Sequence, residues 1–255
     1  MGIADFDAFY AQLYQERWPS LKAALLEVPQ KEEYRRGLTG PYTMDRASIL
    51  AAEALRLPQA GLVLDACAAP GGKSLVLASR LPPGVELLSN ELSSDRRRRL
   101  AKVLDTHLEK PLRQRIRLSA YDAAALGGRE KERERFAAIL LDAPCSSERH
   151  VLADQRALGL WTPARPKALA HRQWALLSAA FLLLAPGGSL VYSTCAINPG
   201  ENDAVAARLM DKYGSRLVID PVEEAEGEST EYGRLILPDR DSGHGPMYIA
   251  RFKKL

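Results

Sequence analysis

The sequence predicts an α/β protein with a mostly parallel sheet. Three observations point that way. From about residue 60 onward, short apolar runs alternate with helix-length amphipathic stretches. The runs are apolar throughout rather than at every second position, the pattern of strands covered on both faces. Several runs also end in Asp, Asn or Ser followed by small residues, the chemistry of a turn leading into a helix.

The stretch before about residue 45 reads as a helical extension. In "FDAFYAQLYQERWPSLKAALLEV" the side chains of Phe6, Phe9, Tyr10, Leu13 and Trp18 fall near one helical face. "RRGLTGPYT" interrupts the pattern with two glycines and a proline. A helix over roughly Asp45–Leu55 leads into the main domain, taken as residues 46–255 after an extension of 1–45. Strands are expected at "LVLDA", "VELLSN", "RIRLS", "FAAILLD" and "GSLVYST", with helices near 72–81, 93–108, 166–185 and 200–212. "GPMYIARFKKL" alternates imperfectly through Met247, Ile249 and Phe252 and is expected as an antiparallel C-terminal edge strand. The charge run "REKERERF" at 129–136 reads as a solvated loop or short helix.

Composition narrows the class. With 255 residues, 46% of them hydrophobic, the chain can bury one sizeable core. A formal charge of +3 permits a nucleic-acid partner without demanding one. The three cysteines, Cys67, Cys145 and Cys195, are odd in number and lie far apart, which argues against a disulfide framework and against zinc-ligand spacing. No apolar run approaches the ~20 residues of a membrane span. "MGIADFDAFY" has neither the apolar core of a secretory leader nor the Arg-rich character of a mitochondrial one, and "MGIADF" lacks the Ser or Thr of an acylation signal. The expectation is a soluble, cytoplasmic, monomeric protein without a metal.

In open α/β sheets ligands bind beyond the carboxyl ends of the strands, and there the sequence places its reactive residues. "DACAAPGGKS" offers small residues, two glycines and a helix start, but it is neither GxGxxG nor GxxxxGK[ST]. Glu91 stands twenty positions after Gly71, a common distance for an acid that accepts from a ribose diol; an acid at a helix start fits equally. Asp122 could accept from a base amino group or cap a helix. Together these features suggest a nucleoside-bearing ligand. Cys145 and Cys195 each follow the end of an apolar strand, in "LLDAPCSSERH" and "STCAINPGEND".

"LDACAAPGGKS", "LLDAPCSSERH" and "VYSTCAINPGEND", spanning about residues 62–203, resemble the Nop/Sun (Fmu) group of RNA cytosine-5 methyltransferases. "GPYTMDRAS" is similar to that family's entry into its catalytic domain. The tail "GRLILPDRDSGHGPMYIARFKKL" resembles the branch that acts on mitochondrial ribosomal RNA and its bacterial relatives. The resemblance implies a Rossmann-like class I methyltransferase fold, S-adenosylmethionine as cofactor and RNA, foremost ribosomal RNA, as substrate. It implies that Cys195 is the nucleophile, that Cys145 assists release, and that Asp142 contacts the N3 and N4 edge of the cytosine. It also implies that Cys67, Ala68, Ala69, Pro70, Gly71, Gly72, Lys73, Glu91, Asp122 and Asp142 line the cofactor pocket, with Lys73 facing either that pocket or the reacting base. The family's use of thiols follows from chemistry: thiolate addition at carbon 6 makes carbon 5 of cytosine nucleophilic. The reverse assignment, with Cys145 attacking, resembles the DNA cytosine-5 enzymes. Beside these roles, Cys67 reads as packing.

For RNA contact the sequence offers Arg149, His150, Arg165, Lys167, His171 and Arg172, which follow the first cysteine motif. Trp161 either stacks on a splayed base or packs in a loop. Arg96–Arg99 with Lys102 spread around a helix and read mainly as its solvated face. An RNA-binding assembly factor with little catalysis and a transfer-RNA methyltransferase stand as the rival readings.

Overall fold

A computed structural model of the chain describes residues 3–223 and 226–255, with side chains described from residue 5 onward. Met1 and Gly2, weighed above for an acylation signal, lie outside the described residues. Among the described residues no helix is long and apolar enough to cross a membrane.

The extension holds two helices, α1 (Ile3–Tyr14) and α2 (Trp18–Leu26). Phe6, Tyr10 and Trp18 are buried as their spacing predicts, whereas Leu13, counted into the same face, is 42% exposed. The region read only as a break forms a hairpin instead, β1 (Glu32–Tyr34) against β2 (Tyr42–Met44), with Glu32 opposite Met44. Strands of three residues are too short to declare a period of two. Asp45 then accepts the Ala47 N–H at 2.8 Å and starts α3 (Arg46–Glu53).

The alternating part follows expectation closely: β3 (Leu62–Asp65), α4 (Gly72–Ala78), β4 (Glu86–Asn90), α5 (Ser94–His107), α6 (Lys110–Arg113), β5 (Ile116–Ser119), α7 (Ala123–Leu126) and β6 (Phe136–Asp142). Two short helices, α8 (Glu148–Ala153) and α9 (Gln155–Gly159), precede the long α10 (Ala164–Leu183), β7 (Leu184–Thr194) and α11 (Asp203–Tyr213). The chain closes with β8 (Leu217–Ile219), β9 (Glu228–Ser229), β10 (Arg234–Ile236) and β11 (Met247–Lys254). The charge run is an exposed single turn at Glu130–Glu132 with its flanks.

The sheet runs β5-β4-β3-β6-β7-β11-β10-β9, parallel from β5 to β7. β11 adds antiparallel to β7, as predicted for the C-terminal strand, and the short β10 and β8 cover its outer side. Successive residues of a strand face opposite layers. Accordingly Val63 packs with Leu75, Leu87 and Leu100 on one face, and Leu64 with Phe181, Tyr192 and Phe252 on the other. The registers Asp65↔Leu140 and Asp142↔Ser193 bring β3, β6 and β7 to an end at nearly the same level. That shared edge carries the chemistry.

A third cluster joins the extension to the main domain: Phe6, Tyr10 and Leu25 pack on Val151, Trp161 and Ile197. Trp161 is therefore not a stacking platform for RNA. It is 1% exposed and sits edge-on to Phe6 at 5.0 Å between ring centroids. Removing a buried aromatic costs about 3–5 kcal/mol, more than the ~1–3 kcal/mol a stacked base returns, so packing wins.

Candidate active site

After β3 the chain turns through Ala66–Gly71 into α4. Gly71 takes a φ of +124°, and a Cβ there would lie 3.0 Å from Val103, so α5 can pack close only on glycine. At the head of α4 the Lys73 ammonium, 12% exposed, reaches Asp142 Oδ2 at 2.8 Å and lies 3.4 Å from Ser48 Oγ. Burial works against that charge, but the Asp142 carboxylate outweighs it and raises the Lys73 pKa. The side chain thus points to Asp142, beside a small cavity that it shares with Cys67, Pro70 and Gly72 of the turn. Ser193 donates to Asp142 Oδ1 at 3.0 Å, so both oxygens of this carboxylate are held.

The strands β6 and β7 lie side by side, and the thiols that follow them meet: Cys145 Sγ and Cys195 Sγ are 3.1 Å apart. Ser147 Oγ lies 3.2 Å from Cys195 Sγ and 3.4 Å from Cys145 Sγ. The hydrogen bond between the two sulfurs splits their behaviour. Cys195, accepting hydrogen bonds from Cys145 and, against its burial, from Ser147, is held below the ordinary thiol range. Cys145, the donor and itself buried, is pushed well above it. Cys67 is different: burial, then Asp65 and Asp142, push its thiol up to about 12, consistent with the packing reading.

Two clefts converge on Cys195, and the first of them also reaches Cys145. The first, about 390 Å³, is lined by Cys67, Glu91, Arg96, Asp142, Cys145 and Cys195. The second, about 610 Å³, is walled by Leu25 and Val28 of the extension and by Ser48, Arg149, Ser147 and Cys195. A thiol reachable from two clefts can act on one ligand while a second lies alongside.

The profile of the family described as "16S rRNA methyltransferase RsmB/F" matches residues 52–253. The chain belongs to the RsmB/F family. It is 33% identical to the mouse mitochondrial tRNA (cytosine(34)-C(5))-methyltransferase, covering 92% of this chain and 71% of that protein. It is 36% identical to ribosomal RNA small subunit methyltransferase F of Aeromonas salmonicida, over 84% of this chain and 45% of that protein. With the mouse 5-cytosine rRNA methyltransferase NSUN4 it shares 32% identity, over 86% of this chain and 61% of that protein. The chain thus spans from under half to about seven-tenths of these relatives' lengths. The crystal structure of a methyltransferase homolog protein from Pyrococcus horikoshii superposes with a TM-score of 0.73 at 23% identity, over 96% of this chain and 93% of that one. At that identity the likeness is one of fold.

Within this RsmB/F site the other expected residues fall out unevenly. Glu91 is 4% exposed; its Oε1 accepts the Ser93 N–H at 2.9 Å and its Oε2 faces Arg96 at 3.4 Å. It therefore stands at a helix start and lines the first cleft as well. Asp122 caps α7 and is gripped by Arg172 at 2.6 Å, which holds its carboxyl below the usual range. Two members of the expected phosphate rim are half-buried and already make contacts within the protein. Arg172 belongs to Asp122 and the first cleft, and Arg149 is spent on the Ala24 carbonyl at 3.1 Å and the Gly243 carbonyl at 3.3 Å. His150, Arg165, Lys167 and His171 remain exposed. Of the arginine run, Arg96 turns to the first cleft and donates to the Ala69 carbonyl at 2.9 Å.

Beneath Cys145 lies a buried acid pair to which the sequence reading gave no role. The Ser146 hydroxyl bridges Glu148 and Glu201, Tyr10 donates to Glu148, and Gln173 donates to Glu201 at 2.8 Å. A hydroxyl has one proton to give, so one carboxyl carries a proton of its own. Burial, then the Glu148 charge, raise Glu201 from 4.5 to about 7. An acid with a raised folded pKa binds its proton more tightly when folded. Stability from this pair is therefore present at low pH and is lost as pH climbs from about 4.5 to about 7. Glu201→Gln, which keeps the shape and never ionises, is expected to gain on wild type by about 1–3 kcal/mol between pH 5 and pH 8. Denaturant melts at both pH values check this; a difference independent of pH would contradict the protonated pair.

Proposed function

We propose that the chain is an S-adenosylmethionine-dependent RNA cytosine-5 methyltransferase acting on ribosomal RNA through a covalent adduct on Cys195. The observation that carries the reading is the thiol pair, 3.1 Å apart, at the meeting of two clefts. The residues of the first cleft fit the cofactor. Glu91 is a buried carboxylate with lone pairs to spare for a diol, and small residues line the turn. When bound, S-adenosylmethionine supplies an electrophilic methyl group.

The chain's own residues do the rest. The Cys195 thiolate adds to carbon 6 of a cytosine held in the second cleft, and the electron density released makes carbon 5 nucleophilic. Asp142, fixed by Lys73 and Ser193 on the wall of the first cleft, accepts from the N4 amino group at the N3 and N4 edge of a base that reaches across Cys195. After methylation, Cys145, its own proton passed to solvent, takes the carbon-5 proton; the electrons of that bond re-form the carbon 5–carbon 6 double bond as the carbon–sulfur bond breaks to return the Cys195 thiolate. Exposed Arg165 and Lys167 supply positive charge for the RNA backbone near the site, and His150 and His171 are exposed beside them. The family profile and the rRNA relatives support a ribosomal acceptor, and the mitochondrial tRNA relative at 33% identity supports a transfer-RNA acceptor as the second reading.

Purified protein incubated with labelled S-adenosylmethionine and, separately, ribosomal and transfer RNA tests this. Digestion to nucleosides is expected to put the label in 5-methylcytidine, from ribosomal RNA foremost. Label in another nucleoside, or in none, would overturn the reading.

A further inference from the structure

We infer that Ser147 is a positioning residue for the nucleophile, its hydroxyl holding the Cys195 sulfur as a thiolate where the two clefts meet. The inference rests on the assignment of Cys195 as the attacking thiol. Ser147 immediately precedes α8, where serine ordinarily accepts a hydrogen bond from the helix backbone. Its side chain makes no such cap. It also sits at φ 54° and ψ 61°, a left-handed conformation that a residue with a Cβ disfavours and that glycine takes freely. The position thus forgoes a helix cap and accepts backbone strain. What it gains is a hydroxyl 3.2 Å from Cys195 Sγ, 3.4 Å from Cys145 Sγ and 3.4 Å from the Cys145 carbonyl. Departures from local preference that persist at a site are where function is to be looked for.

Among the described residues, Cys145 Sγ and Ser147 Oγ lie within hydrogen-bond distance of the Cys195 sulfur. A hydroxyl has one proton to give, and of the Ser147 contacts the one to Cys195 is the shortest at 3.2 Å; turned there, that proton favours the charged form of the sulfur. The formal charges around it do not do this alone. Lys73 from α4 is neutralised by Asp142 from β6, and Glu148 lies behind Cys145. Asp45, Arg149 and His150 line the second cleft, while Glu91, Arg96 and Arg172 line the first. Ser147 borders both clefts, so its hydroxyl keeps the sulfur aimed between them.

The test is alkylation of the full chain by iodoacetamide from about pH 5 to about pH 10, without RNA or methyl donor, with Cys145 and Cys195 peptides quantified separately by mass spectrometry. Wild type, Ser147→Ala and Ser147→Gly are compared; alanine removes only the hydroxyl, and glycine removes the side chain but suits the backbone. Both variants are expected to move the Cys195 midpoint up by roughly one pH unit and to slow its alkylation near neutrality roughly tenfold. An unmoved midpoint in both overturns the inference. A shift in the alanine variant alone also overturns it, because the backbone and not the hydroxyl would then be the cause. Failure of the methyltransferase reading would appear separately, as wild-type protein that alkylates as described yet methylates no RNA.

Discussion

Cys195→Ala is expected to lose RNA methylation by roughly 10³-fold or more, equivalent to about 4 kcal/mol of barrier, and to form no covalent complex with RNA. Carbon 5 of cytosine attacks a methyl group only after a nucleophile has added at carbon 6. Of the three cysteines, Cys195 alone is held below the ordinary thiol range, by Cys145 and Ser147. Cys67, raised to about 12, cannot substitute. Cofactor affinity, measured by calorimetry, is expected to stay near wild type, since the first cleft keeps Glu91 and Asp142. Methylation retained at more than a tenth of the wild-type rate would show that the thiolate is not the attacking group.

Cys145→Ala has the opposite signature. Its sulfur is pushed well above the usual thiol range, suiting it to hold and pass a proton rather than to attack. The variant is expected to attack and methylate once, then fail to let go. It should accumulate a protein–RNA species that survives a denaturing gel and disappears with RNase, while multiple-turnover methylation falls. The reversed pattern, with an adduct in Cys195→Ala and none in Cys145→Ala, would exchange the two roles.

The parallel half of the fold was legible because burial on both faces leaves unbroken apolar runs. "FAAILLD" is β6 to the residue, and "GSLVYST" is the second half of β7. The hairpin over residues 32–44 was not legible, because three-residue strands carry no period, and the strands that cover β11 are as short.

At the site, local motifs revealed the thiols, Asp142, Lys73 and Glu91, since each sits at or just beyond a strand end. What they withheld depends on residues distant in the chain. Asp122 meets Arg172 fifty positions away, and Glu148 and Glu201 share Ser146 across a similar span. Arg149, Arg172 and Trp161 were assigned to RNA because they follow a motif in sequence. The packing of α2, α7 and α1 against them decides where they point, and no spacing reports that. Ser147 had a visible signal, a serine just ahead of a helix, but that signal predicts a cap and not a contact with sulfur.

The central claim is that Cys195 bonds to carbon 6 of a cytosine. Its most direct measurement uses the wild-type protein, S-adenosylmethionine and an RNA substrate containing 5-fluorocytidine, whose carbon 5 has no proton to lose after methylation. Digestion and mass spectrometry of the trapped complex are predicted to yield the Cys195 peptide carrying a methylated fluorocytidine nucleotide. The same nucleotide on the Cys145 peptide, or turnover with no peptide adduct at all, would contradict the account.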